Sequence, residues 1–436
     1  MGLGITAPRP RRAIVLRAAA TLAALGAGTA QAGGLSLYEV GTEDVGLASA
    51  GYSARAQDAS TVLTNPAGMT RLPGTQVTLG AQLLYGDLGF SIAQGTSPAL
   101  GSGNGGNPVG WFPGGGGFVT YAVNPNVVVG FGMAGNFGLS LKYDDNWAGR
   151  YYARQSTLIG LSLLPSVAYK VTDKLSLGLS LNVMYGYLKS VVAVNNLAGP
   201  DGELELSNGT WGVGANVGVL YEFTPGTRVG LTYNSPVDLN FSANASFSGL
   251  SPGLETLLRS RGLLNANTDL GVRVPQGLML SGFHRLDNRW ALLGSFGWQE
   301  WSQFGKVQVG IDSNDPRSLT TDLNYKNTWH VAVGTQYQLS DPWRLNFGVA
   351  YDSGFQSGDV PPALPANSAW RFGAGAQNQV SKSFSWGVSG EYVYGGTLNV
   401  NEQSAAPVAL GGRGNLVGSY PNSGIFFLAA NFNWKF

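Results

Sequence analysis

The sequence has no cysteine and only two histidines, and Asp, Glu, Lys and Arg together make up just 12% of its 436 residues, with a net charge of +1. Each scarcity excludes something. Without cysteine no disulfide can brace the fold, so backbone pairing and packing must hold it. The thin, balanced charge leaves no basic patch for nucleic acid. His284 and His330 stand at no spacing that suggests a Ser/His/acid set or a cluster of metal ligands, so neither an enzyme nor a metal site is expected. Gly114 to Gly117 fits neither the P-loop nor the dinucleotide-binding pattern and reads as a loop-to-strand junction, so no cofactor is expected either. Asp144-Asp145 lacks the partner acid that a calcium site needs and reads as a solvated turn. Past residue 32 there is no run of 18 apolar residues, and hence no transmembrane helix.

What is present is apolar and periodic. Hydrophobic residues make up 44% of the chain, which excludes disorder. Arg9, Arg11 and Arg12, a mostly apolar stretch from Ala13 to Ala27 and the small-x-small triplet Ala30-Gln31-Ala32 have the form of a signal peptide over residues 1–32. After it, alternation with a period of two recurs. Leu175, Leu177, Leu179, Leu181, Val183, Tyr185 and Tyr187 are interleaved with Ser176, Gly178, Ser180, Asn182, Met184 and Gly186. Runs from Trp211, Trp329 and Trp343 repeat the pattern, as does the chain end at Phe426, Leu428, Ala430, Phe432, Trp434 and Phe436. A period of two gives a strand with one greasy and one wet face. Many runs begin or end on Trp, Tyr or Phe, as interfacial aromatic girdles do.

The connections alternate in length. Short turns at Asn124-Pro125-Asn126, Thr172–Lys174, Thr224–Thr227, Arg285–Asn288, Ser340–Pro342 and Ser381–Ser383 are interleaved with long segments near 87–117, 140–156, 188–208, 243–268, 305–326, 355–368 and 401–422. Six turns and seven loops join about fourteen strands. The expected fold is therefore all-β: a transmembrane antiparallel β-barrel over residues 75–436 with long extracellular loops, in the outer membrane of a Gram-negative bacterium. Residues 33–74 lack a strand period. Their apolar content (Leu35, Leu37, Val40, Val45, Leu47, Val62, Leu63, Met69) favours a plug, or hatch, folded inside the barrel over a free tail. Ser251 to Leu258 reads as a loop helix, with Ser251 as cap, Pro252 at its first position, Leu254, Leu257 and Leu258 on one face and Gly262 as stop. That face either captures a ligand or packs on a neighbouring loop, and the two are compatible. The third strand, Val127 to about Leu139, carries Gly130, Gly132, Gly135 and Gly138, and glycine within a strand marks a bend or bulge.

Several motifs resemble the FadL/TodX family of outer-membrane transporters for long-chain fatty acids and other hydrophobic compounds. They are Leu35-Ser36-Leu37-Tyr38-Glu39, Asp58-Ala59-Ser60-Thr61, Asn65-Pro66-Ala67-Gly68-Met69, Asn136-Phe137-Gly138, Tyr143-Asp144-Asp145 with Trp147–Arg150, Trp301–Phe304 and Trp370–Gly373. One departure is Tyr351-Asp352-Ser353-Gly354, where many members carry Asp-Asp-Ser-Pro. The resemblance implies a monomeric, passive transporter set in outer-membrane lipid. A hydrophobic small molecule would pass from an outer groove, through a lumenal pocket, to a wall gap at a kinked third strand. Asn136, Phe137 and Gly138 are candidates for that gap, Leu35 and Leu37 for ligand contact, Asn65, Pro66 and Ala67 for the gating hatch, and Leu254, Leu257 and Leu258 for capture on the loops. A carboxylate head group needs a cation or several donors. Arg150, Arg154, Arg344 and Arg371 are the candidates, each with lumenal or loop salt bridging as its alternative role. An aromatic-hydrocarbon channel of the same fold and a general diffusion porin are the rival functions.

Overall fold

The computed structural model describes residues 35–38, 40–312 and 317–436. The expected signal peptide, together with Gly33, Gly34 and Glu39, lies outside them. Fourteen strands form the wall: β1 (Thr75–Asp87), β2 (Gly110–Asn124), β3 (Val127–Lys142), β4 (Gln155–Lys170), β5 (Leu175–Val194), β6 (Gly202–Thr224), β7 (Thr227–Asn234), β8 (Gly277–Arg285), β9 (Trp290–Gln299), β10 (Thr328–Gln338), β11 (Trp343–Asp352), β12 (Ala369–Ser381), β13 (Phe384–Glu402) and β14 (Leu416–Lys435). Each pairs antiparallel with its neighbours, and β1 closes on β14 from Gln76↔Lys435 to Asp87↔Gly424. Closure leaves neither end strand unpaired, as a strand protein in lipid requires.

The alternation maps directly onto the wall. Leu177, Leu179, Leu181, Phe426, Leu428 and Phe432 face outward, while Ser176, Ser180, Asn431 and Asn433 face the lumen and are buried. Aromatic pairs ring both ends. Tyr85–Trp111, Tyr185–Trp211 and Tyr351–Trp370 lie toward the loops, and Trp290–Tyr337, Trp343–Trp386 and Phe384–Trp434 toward the turns.

The strands outrun their sequence signal. β5 and β6 have 20 and 23 residues, and only 195–201 joins them, a far shorter loop than 188–208. A lipid-spanning strand needs only about 9–11 residues. Above that band the outward face no longer has to be greasy, and Lys189 pairs with Glu205 at 3.0 Å across the ladder. The alternation fades there while the hydrogen bonding continues. The connections 235–276 and 300–327 are not plain loops. Val237–Asn244, Asn267–Val274, Lys306–Asp312 and Arg317–Asp322 form a separate four-stranded sheet. Its buried side chains, Val237, Leu239, Phe241, Leu270, Val272, Val307 and Val309, join Phe137, Trp301 and Phe304 in one apolar core and so roof the lumen.

Residues 40–72 lie inside the cylinder as short turns, 3-10 segments and one turn of α-helix at Thr61–Thr64. Inward-facing glycines let them touch the wall. Gly334, Gly348 and Gly373 lie side by side on three strands, and a Cβ on Gly348 would fall 1.8 Å from the Leu47 carbonyl oxygen. Gly178 and Gly218 pair across β5 and β6, and Gly230 lies close by on β7. Cβ atoms there would fall 2.2 Å from Ala67 N, 2.0 Å from Asn65 Oδ1 and 1.8 Å from the Ser53 carbonyl oxygen, respectively. Buried charge ties the segment together. Arg55 meets Asp58 at 2.8 Å, Asp44 at 3.2 Å and Glu43 at 3.6 Å, while Arg344 of β11 donates to Glu43 at 2.6 Å.

Candidate functional site

The β2–β3 seam is incomplete. It runs from Asn124↔Val127 to Gly116↔Ala134 and stops. Among the described wall strands, Gly110–Gly115 of β2 then pair only with β1, and the rest of β3 only with β4. The cause is a bulge: the β3–β4 register shifts between Gly135 and Phe137, and Gly138 has φ +113°. A Cβ there would sit 1.9 Å from the Leu158 carbonyl oxygen, so only glycine fits. Three of the four glycines of this strand have a steric role, while a Cβ on Gly135 would meet nothing within 4 Å. Gly130 and Gly132 admit Met69 and Val62 of the inner segment, and Gly138 makes the bend.

Residues 35–37 add to β3 from inside at this point. Leu37 N–H donates to the Asn136 carbonyl at 2.9 Å, Gly138 N–H donates to the Leu35 carbonyl at 2.7 Å, and Ser36 bridges Phe137. Asn136 Oδ1 accepts from Ser162 Oγ at 2.9 Å. Leu37, Asn136 and Phe137 line a lumenal chamber with Tyr38, Tyr52, Leu63, Met184, Met279 and Trp298. Its described lining carries no charge, and its polar part is a group of amides, Asn182, Asn216 and Asn234. The Oδ1 atoms of Asn182 and Asn234 are buried without a protein partner, so the chamber has acceptors to offer. A smaller apolar space adjoins it, where Leu37 and Gly138 meet Leu84, Leu139, Val393 and Phe427, with Arg371 at its edge. Leu37 therefore borders both spaces, while Leu35 is fully buried in the core.

Asn65, Pro66 and Ala67 line neither space. Asn65 Oδ1 accepts from Ala67 N–H at 3.0 Å and caps the 3-10 turn Pro66–Arg71. Its Nδ2 donates to the Ser53 carbonyl at 2.7 Å and to the Val219 carbonyl of β6 at 3.0 Å. The motif is thus both a turn and a fastening to the wall.

On the loops, the helix Pro252–Ser260 buries Leu258 and half-buries Leu254 and Leu257. Ser251 makes no side-chain cap bond; its N–H donates to Asn196 Oδ1 at 2.8 Å instead. Gly262, at φ +65°, ends the helix in a Schellman motif, with Leu263 N–H on the Leu258 carbonyl at 2.9 Å and Gly262 N–H on the Arg259 carbonyl at 3.0 Å. These leucines line an apolar groove of about 1290 Å³ with Val192, Val194, Phe247, Leu197 and Leu410. Capture face and packing face are the same face.

The four candidate arginines are all engaged by acids. Arg150 Nε meets Asp201 at 2.7 Å, and Tyr151 Oη donates to the other Asp201 oxygen at 2.6 Å. Burial, and then that acid, push the Tyr151 phenol up to about 12. Arg154 pairs with Asp145 and Glu203, and Arg344 with Glu43. Arg371 holds Asp352 and Glu391, and Asp352 in turn receives His330 Nδ1 at 2.7 Å. In each case salt bridging is the role taken. Sequence reasoning missed Arg413, which lines the loop groove and lies over the Tyr152 ring at 5.3 Å. Its only local signal is the flanking Gly411-Gly412 and Gly414, which let the loop fold close.

The family described as outer membrane protein transport protein (OMPP1/FadL/TodX) matches residues 23–436. Outer membrane protein P1 of Haemophilus influenzae is 29% identical over 430 residues, covering 88% of this chain and 90% of that protein. The long-chain fatty acid transport protein of Escherichia coli is 28% identical over 407 residues, covering 85% and 89%. Among solved structures, a Pseudomonas aeruginosa FadL homologue superposes with a TM-score of 0.80 at 21% identity, covering 92% of this chain and 100% of that one. The Pseudomonas putida toluene transporter TodX superposes with a TM-score of 0.67 at 18% identity, covering 90% and 99%.

Proposed function

This chain belongs to the OMPP1/FadL/TodX family of outer-membrane transport proteins for hydrophobic compounds, and from that membership we propose that it carries long-chain fatty acids or similar amphiphiles by loop capture, lumenal binding, hatch movement and lateral exit at β3. It is a transport protein, not an enzyme. The observation that carries the reading is the convergence at the bulge. The unpaired upper part of the β2–β3 seam, residues 35–37 and the uncharged chamber all meet at Asn136–Gly138.

The physics favours stations over a pore. Each methylene prefers an apolar site by about 0.8 kcal/mol, so a ten-methylene chain gains about 8 kcal/mol on leaving water. An open channel would carry such a molecule dilute and unbound. The inner segment 40–72, seated on wall glycines, argues against a general diffusion porin. The relative named for long-chain fatty acid transport is 28% identical, and the long apolar groove suits an acyl chain better than a single ring.

The test uses the cysteine-free background. Ser36 and Phe137 form a non-hydrogen-bonded antiparallel pair, whose Cα atoms lie about 4.5 Å apart. That spacing is within disulfide reach. Ser36→Cys with Phe137→Cys should lock the hatch end into the wall. Uptake of a long-chain fatty acid should stop in the oxidised protein and return on reduction; undiminished uptake when oxidised would refute hatch movement.

A further inference from the structure

Every extracellular arginine named as a head-group candidate is held by a carboxylate, and the chamber below is uncharged in its described lining. Arg413 differs. Among the described residues no carboxylate oxygen lies within the 4.0 Å that defines an ion pair with it. It lines the apolar groove between the loops, beside Leu254, Leu257 and Leu258, and rests over Tyr152, whose hydroxyl donates to the Gly414 carbonyl at 2.6 Å. Tyr152 thus fixes the loop and gives the guanidinium a π face. Glu402 acts on it electrostatically from outside bonding range. Burial lowers the Arg413 pKa, with Tyr152 and Glu402 opposing. A half-desolvated cation without an ion pair is costly, and an arriving anion relieves that cost.

We propose that Arg413 is the head-group anchor of the loop groove, so that the groove selects anionic amphiphiles, carboxylate on Arg413 and acyl chain along Leu254, Leu257 and Leu258, over neutral hydrocarbons. This deepens the fatty-acid reading and rests on the groove as capture surface. It also divides the route chemically. Charge is recognised outside, where Arg413 sits, and the inner chamber receives the molecule through neutral amides.

The absence of cysteine provides a local reporter. Leu197, 67% exposed at the groove, is changed to Cys and labelled with an environment-sensitive fluorophore. Oleate and oleyl alcohol are titrated separately into the purified protein. The labelled parent should bind oleate more tightly. Arg413→Met should lose about tenfold or more of the oleate affinity, the scale of one charged hydrogen bond, and keep its alcohol affinity. Arg413→Lys should recover part of the loss, and Arg261→Met, which removes an exposed loop charge, should change neither ligand. Retained alcohol binding shows that the groove is still folded. Equal affinity of the parent for both ligands, or an unchanged oleate-to-alcohol ratio in Arg413→Met, would overturn the anchor. A parent that reports neither ligand would instead overturn the groove as a capture surface.

Discussion

Adding one methyl group to the wall, at Gly230 or Gly348, should unseat the inner segment. A Cβ on Gly230 falls 1.8 Å from the Ser53 carbonyl oxygen, and one on Gly348 falls 1.8 Å from that of Leu47. A carbon–oxygen contact needs about 3.3 Å, and no rotamer change can help because both partners are backbone. The segment must back away. At Gly230 that movement breaks two bonds to the wall, the Ser53 N–H bond to Ser281 Oγ (3.0 Å) and the Thr232 Oγ1 bond to Ser53 Oγ (3.0 Å). Two hydrogen bonds are worth about 1 kcal/mol each, and overpacking adds about 1–3 kcal/mol. The seated state should lose about 3–5 kcal/mol, a shift of roughly 100-fold or more in the seated-to-unseated ratio. Gly282→Ala is the control, since a Cβ there meets nothing within 4 Å. In planar bilayers the parent and Gly282→Ala should be almost silent, while Gly230→Ala and Gly348→Ala should open frequently. Limited proteolysis should cut residues 40–72 in those two alone. Silence and full protection in both glycine variants would mean that the wall yields instead, and the seating argument would fail.

Two further outcomes are expected. Gly138→Leu places a side chain at φ +113° against the Leu158 carbonyl, a strain of about 1–3 kcal/mol that should straighten the bulge. Fatty acid uptake should fall about tenfold while heat-modifiable gel mobility shows a folded barrel, and full uptake would count against lateral exit. Leu254→Ser with Leu258→Ser removes apolar contact worth about 1.5–3 kcal/mol per fully buried leucine. Uptake should drop about tenfold at low ligand and recover at saturation; an equal loss at both would point to a folding defect rather than to capture.

The wall was legible because lipid imposes a rule on every second residue. Trp211, Val213, Val217 and Tyr221 declare their face without reference to any neighbour. Glu203 and Glu205 belong to the same strand, yet above the lipid that rule lapses and they read as loop. The roof sheet shows a second limit. Val237, Leu239, Phe241 and Ala243 alternate cleanly, but their strand is only eight residues long, it pairs with Asn267–Val274, and the rest of its sheet lies as far away as Lys306–Asp312 and Arg317–Asp322. The bulge was readable from Gly138. The role of Gly178, Gly218 and Gly348 was not, because a glycine in a strand does not announce what approaches it. The arginine pairings were hidden in a similar way. Pairing partners such as Glu43 for Arg344 are 301 residues distant, and Arg413 acquires its place only when loop 403–415 folds over Tyr152.

The two glycine flats lie on separate arcs of the wall, β5–β7 and β10–β12, so the stopper is keyed rather than merely snug. Turning it or sliding it would drive a carbonyl oxygen up onto a neighbouring side chain at both seats together. A cargo taking the proposed sideways exit at β3 would dissolve in the bilayer and never exist free in the space beneath. On that proposed route net flux would be set by how quickly the membrane-dissolved molecule is removed on the inner side, and transport would need no energy source of the protein's own.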